Sequence, residues 1–211
     1  MMWSCSDRNR ITDSLQTQFL ALRWGSKQSN DSIVFVLKIV VMMEYKTAEA
    51  FEEVSDAFVD IIKNLDEEAL NTKPADGGWS PGQIGDHIRK SYASVDTMNG
   101  NSRETERAPD ARIPQIKSIF LNFDIKMDAP EAVLPTEKRV DKQRLLDALE
   151  LRIRQSIDVI DSQDLARTCT DFEIPEYGPF TRLEWLWFNI YHTQRHLKQL
   201  RSTVEALETP H

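Results

Sequence analysis

Leu183-Glu184-Trp185-Leu186-Trp187-Phe188-Asn189-Ile190-Tyr191-His192-Thr193-Gln194-Arg195-His196 is the stretch on which the reading of this chain turns. Up to Tyr191 it is apolar on nearly every side of a helical wheel, and a helix apolar all round is buried all round. It opens behind Thr181-Arg182-Leu183-Glu184, where a threonine cap and an acid three residues later form a capping box. Leu183, Trp187, Ile190 and Leu197 share one face of this helix, and Trp185, His192, His196 and Gln199 share roughly the opposite one. The histidines thus follow a second face that begins with a tryptophan, as a pocket with an apolar floor and a polar mouth requires. The alternative is a face that turns to solvent after Tyr191, where Arg195, Lys198 and Arg201 appear.

Residues four apart on a helix have Cβ atoms within about 6 Å, so His192 and His196 can reach one ion together. A third imidazole from another helix completes a three-histidine set with positions left open for water or substrate, the catalytic form of such sites. His87 is the candidate. It lies in a helix that opens with Ser80-Pro81-Gly82-Gln83, serine as cap, proline at the first helical position and glutamine closing a capping box. The apolar stripe there is Ile84, Ile88, Tyr92 and Val95, with His87 and Ser94 on its flank. Taken singly, each histidine also fits an ordinary place at a core edge or on the surface.

The remaining helices follow from the same periodicity. Phe51, Val54, Phe58, Ile61, Ile62 and Leu65 predict an amphipathic first helix over about 46–64. Asp141 caps a third helix with a stripe of Leu145, Leu146, Leu149, Ile153, Ile157 and Ile160. Between helices two and three, residues 99–138 form a long connection punctuated by Pro109, Pro114, Pro130 and Pro135, with a short helix possible over 113–123. Connections of that length inside a compact domain usually form a lid or wall, the alternative being a solvated crossover without a role. The sum is an all-α chain: a four-helix bundle with a long crossover between helices 2 and 3, an architecture that commonly holds metals between facing helices.

Composition narrows the partners. Among 211 residues the formal net charge is -8, and no basic run or zinc-finger spacing appears, which argues against nucleic acid as a partner. Cys5 and Cys169 are the only cysteines and neither sits in a C-x-x-C, so a reducing cytoplasm suits the chain better than a disulfide framework. No dinucleotide, P-loop or nucleophile-elbow motif is present. The apolar run Ile33–Met43 is too short to span a membrane and too deep for a signal peptide. It reads as a buried strand, as a fifth, accessory helix, or, in the preferred reading, as part of an extension over 1–42 that is a leader or a misassigned start, with the domain itself at 43–211.

Three segments carry a family resemblance. Trp79-Ser80-Pro81-Gly82-Gln83-Ile84-Gly85-Asp86-His87-Ile88 resembles the start of the second helix in the DinB-like (YfiT-like) family of metal-binding four-helix bundles. Pro175-Glu176-Tyr177-Gly178-Pro179-Phe180-Thr181-Arg182-Leu183-Glu184-Trp185 resembles its loop into the final helix, and His192-Thr193-Gln194-Arg195-His196 its H-x-x-R-H segment. The similarity covers about 44–207 and leaves the first 42 residues outside it. It implies that His87, His192 and His196 bind one divalent ion, that water completes the coordination, and that the chain forms a homodimer. It also implies chemistry of the kind found in metal-dependent transferases and isomerases that act with low-molecular-weight thiols. The H-x-x-x-H-x-E variant of more distant relatives does not fit, because Lys198 stands two residues after His196.

Two functions are expected from this reading. The first is a metal-dependent enzyme, a thiol S-transferase or hydrolase acting on a small-molecule substrate, with zinc as the default ion and nickel, manganese or iron also fitting nitrogen ligands. The second is a non-catalytic metal-stapled bundle serving as a stress-response or interaction module. No general base stands out: Asp86 reads as a surface acid, and the capping box accounts for Glu184. For the extension, intact mass of the native protein should match a chain starting at Met42 or Met43; a mass for all 211 residues rules that reading out.

Overall fold

The computed structural model describes residues 30–75, 77–175 and 177–208; of residues 30–37 and 39 only the backbone is described. It divides into two units, Met1–Val41 and Met42–His211. Seven α-helices are described: α1 (Asn30–Asn64), α2 (Glu67–Asn71), α3 (Pro81–Ser91), α4 (Ser94–Asn99), α5 (Ile113–Phe120), α6 (Lys142–Ser162) and α7 (Arg182–Glu208). A two-residue ribbon pairs β1 (Ser102–Arg103) with β2 (Thr168–Cys169) in antiparallel register. The all-α expectation holds.

The first helix departs most from expectation. α1 starts at Asn30, so the apolar run from Ile33 to Met43 is helical and is not a strand. Val40, Val41 and Met42 are 43, 52 and 51% exposed, so burial does not dictate their conformation. The run holds no glycine or proline, and extending a helix that already exists costs far less than nucleating one. The aperiodic stretch over 1–29, with Cys5, lies outside the described residues.

α1, α3 with α4, α6 and α7 each give an apolar stripe to one core. Phe51, Val54, Phe58 and Ile62 come from α1, Ile84 and Ile88 from α3, Leu145, Leu149 and Ile160 from α6, and Leu183, Leu186 and Ile190 from α7. Each cap expected from the sequence is present. Ser80 Oγ accepts from Gln83 N while Gln83 Oε1 accepts from Ser80 N. Thr181 and Glu184 reciprocate in the same way, and Asp141 Oδ1 accepts from Arg144 N. Glu184 does more than cap: it is fully buried and accepts from Nη1 and Nη2 of Arg107, at 2.5 and 2.6 Å. That pair ties the start of α7 to the crossover.

The second helix is not continuous. It breaks after Ser91, whose hydroxyl donates to His87 O. The turn then tightens, with Ala93 N bonding Lys90 O and Val95 N bonding Tyr92 O. The crossover that follows, expected as a loop with one short helix, holds β1, α5 and a single 3₁₀ turn over Glu131–Val133. α5 packs on α7 and the 3₁₀ turn packs on α3. The crossover therefore touches both helices that carry the histidines.

Two glycines let α3 approach its neighbours. A Cβ at Gly82 meets Leu70 O at 2.9 Å and Val140 Cβ at 3.1 Å, whereas one at Gly85 meets the methyl ends of Leu145 and Ile62 at 2.7 and 2.9 Å. A backbone carbonyl cannot rotate away and a methyl end can. Gly82→Ala should therefore lower stability by about 1–3 kcal/mol in urea denaturation, and Gly85→Ala by less, because the helix propensity of alanine offsets part of its cost. Equal losses at both positions contradict this packing.

Candidate metal centre

α3 presents His87 and the middle of α7 presents His192 and His196. The fold brings all three together: one ligand nitrogen from each lies within 4.8 Å of the others. His192 Nε2 is 3.1 Å from His87 Nε2 and 3.0 Å from His196 Nε2. Nitrogens bound to one ion at about 2.0–2.1 Å lie roughly 2.9–3.4 Å apart in octahedral or tetrahedral geometry, so these separations suit a shared ion. After Tyr191 the face carrying His192 does not open fully to solvent: His192 is 7% exposed and Gln199 is half-buried, while His87 of α3 is 2% exposed. His196 is half-buried.

Hydrogen bonds on the outer nitrogens set the chemistry of the inner ones. His87 Nδ1 lies 2.8 Å from Val133 O, and His196 Nδ1 lies 2.7 Å from Gln199 Oε1. Both oxygens only accept, so both Nδ1 atoms carry the proton, and in a neutral ring Nε2 is then a bare lone pair. His192 cannot satisfy this arrangement in either tautomer. A proton on its Nε2 serves one neighbour and leaves its own buried Nδ1 an unpaired acceptor. A proton on Nδ1 turns three lone pairs toward one point. Nδ1 of His192 has no partner among the described residues.

Adding protons does not solve the problem. Burial pushes all three imidazoles below their ordinary value, His192 well below it and His196 down to about 3. Repulsion between the rings adds to the effect at His192 and His196, as does the nearby Arg195 charge. A cluster that refuses protons and points lone pairs inward is matched to a divalent cation, and the residues present fit one.

Aromatic rings enclose the cluster. Trp79 packs on His87 and His196 with centroids 5.0 and 6.2 Å apart, and Phe120 and Phe188 meet His192 at 5.3 and 5.4 Å. Trp185, expected as the floor, stands one ring further away: it packs on Phe180 and Phe188. Asp86 is not a surface acid. It is 7% exposed, and its carboxylate accepts from Arg89, Lys90 and the backbone N–H of Thr136. Burial acts to raise its pKa, and those bonds outweigh it and hold the group ionised below the usual carboxylate range. Gln83, Asp86, His87 and Lys90 lie on one face of α3 and all bind the 133–136 segment of the crossover, Gln83 and Lys90 through the Thr136 and Leu134 carbonyls.

The lowered histidines give the metal-free protein a signed pH dependence. Unfolded imidazoles take up protons near pH 6.5 and the folded ones do not, so stability is full above about pH 6.5 and is lost as pH falls towards 3. Thermal melts of metal-free protein should show Tm falling between about pH 6.5 and 5, with a shallower fall in His196→Gln; a flat Tm over that window contradicts the neutral cluster.

Residues 50–200 match the DinB superfamily. The chain is also 27% identical over 154 residues to the uncharacterized protein YuaE of Bacillus subtilis (strain 168), an alignment that covers 70% of this chain and 90% of that protein. No solved structure matches significantly. The family match spans most of the chain and contains all three histidines, so this protein belongs to the DinB superfamily.

Proposed function

We propose that His87, His192 and His196 hold one divalent ion, zinc in the first instance, and that the protein is a metal-dependent enzyme acting on a small molecule, by thiol S-transfer or by hydrolysis. The convergence of three Nε2 atoms, those of His87 and His196 held as bare lone pairs, carries this reading. A divalent ion held only by neutral imidazoles keeps its full charge and supplies Lewis acidity, lowering the pKa of a water or thiol at its open position.

The chain's own residues supply the rest. Val133 O and Gln199 Oε1 orient two rings and hold their tautomers, as acceptors behind metal-bound histidines generally do. Trp79, Phe120 and Phe188 exclude water from the cluster, which strengthens any charge interaction inside it. His196, the least buried of the three, marks the side from which a substrate arrives.

Enclosure favours a second reading, a non-catalytic ion that staples α3 to α7, because His87 and His192 are almost without exposed surface. A shallow depression on α5, lined by Pro114, Lys117, Ser118, Leu121 and Asn122, includes none of the histidines.

Metal analysis of untagged protein tests the site, and cobalt substitution tests the function. About one ion per chain is expected in the wild type and far less in His196→Ala with helix content retained; stoichiometric tight binding by the variant defeats the assignment. A low-molecular-weight thiol should then shift the visible spectrum of the cobalt protein. No shift with any physiological thiol removes the transferase reading and leaves hydrolysis or the staple.

A further inference from the structure

Arg195 lies between the two histidines of α7 and points its guanidinium at the crossover. Nη1 donates to Phe120 O at 3.3 Å and to Asn122 O at 2.9 Å, and Nη2 donates to Ile125 O. The acceptors lie at the C-terminus of α5 and just beyond it, where a helix leaves carbonyls unpaired and its dipole favours a cation. Lys117 O and Ile119 O are already used by Leu121 N and Asn122 N, so the guanidinium takes a carbonyl, Phe120 O, that those closing bonds leave over. One residue thus binds three carbonyls spread over six residues of connection. Three residues later, Lys198 Nζ sits 3.9 Å over the Phe123 ring and adds a second hold on the same segment.

The consequence falls on the histidine cluster. Phe120 is 7% exposed, and its ring meets both His192 and Phe188. Holding the end of α5 down holds that ring against the central ligand of the proposed site. On the other side of the cluster the crossover is pinned separately, through Val133, Leu134 and Thr136, to α3. Between the two anchorages lie residues 126–132, with Met127 41% exposed.

We propose that Arg195 is a positioning residue: its fork clamps the crossover to α7, keeps Phe120 as the wall of the cluster, and so controls access to an ion held there. The access part rests on the metal reading above; the clamp does not. A lysine keeps the charge but cannot span three carbonyls, so it separates the fork from the charge.

The test compares wild type, Arg195→Lys, Arg195→Ala and Phe120→Ala, each zinc-loaded and metal-free. In the metal-free state, Arg195→Lys should speed hydrogen exchange of backbone amides over residues 121–130 about ten- to hundredfold, with exchange in the core of α6 unchanged. In the zinc-loaded state, Arg195→Lys and Phe120→Ala should both retain about one ion and release it to a chromogenic chelator faster than wild type by a similar factor. Local exchange in Arg195→Lys equal to wild type overturns the clamp. Faster local exchange with unchanged zinc release in both variants overturns the control of access. A wild type that binds no zinc overturns the metal reading alone, and hydrogen exchange then still decides the clamp. If Arg195→Lys fails to fold, Phe120→Ala decides access and Lys198→Ala, read by the same exchange, decides whether α7 holds the segment.

Discussion

Imidazole lone pairs facing one another across a buried cluster are the constraint on which the rest of this structure depends. Two of them are imposed by bonds on the far side of the rings, where Val133 O and Gln199 Oε1 accept the Nδ1 protons of His87 and His196. Burial removes the option of charging the rings. The central ring, His192, then has no tautomer that leaves every nitrogen satisfied, and buried polar atoms are paired in the great majority of native structures. A cation at the centre would take up the Nε2 lone pairs of all three rings, leaving only the Nδ1 proton of His192 without an acceptor among the described residues.

The same constraint explains why the crossover is built as it is. A connection of this length has an entropic cost of ordering, and here that cost is offset by bonds drawn from the two histidine-bearing helices. α3 gives Gln83, Asp86, His87 and Lys90 to the segment around 133–136, and α7 gives Arg195 to the segment around 120–125. Asp86 is buried and ionised for this purpose, paired with Arg89 and Lys90 while it caps the Thr136 N–H. His87 belongs to both systems. Its Nε2 faces the cluster and its Nδ1 is one of the bonds that hold the strap.

How much of this was legible in the sequence follows from which forces leave a periodic trace. Capping boxes at Ser80 and Thr181 and the stripes of α6 and α7 were readable, because caps and helical faces repeat at fixed spacing. The convergence of His87 with His192 and His196 was expected from an i,i+4 pair and a third helix, and one ring nitrogen of each lies within 4.8 Å of the others. The early start of α1 was missed, since an apolar run rich in valine and isoleucine carries no period that separates strand from helix. The break at Tyr92, where the turn tightens to Ala93 N–Lys90 O and Val95 N–Tyr92 O bonds, leaves no mark on the apolar stripe, which runs on through Val95. Asp86 and the rings of Trp79, Phe120 and Phe188 were not foreseen as parts of the site, because their neighbours come from distant segments. Val133 O could not have been foreseen at all: every residue has a carbonyl. Gln199 was visible on the histidine face, and its spacing of three from His196 is the one clue to its role that the sequence held.

The central claim is the inward direction of the imidazole lone pairs, and long-range proton–nitrogen NMR of the rings reads it directly. In metal-free protein near pH 7, His87 and His196 should show the proton on Nδ1 and none on Nε2, and one equivalent of zinc should move the Nε2 resonances of all three rings together. Protons on the Nε2 atoms of His87 and His196, with no response to zinc, contradict the account.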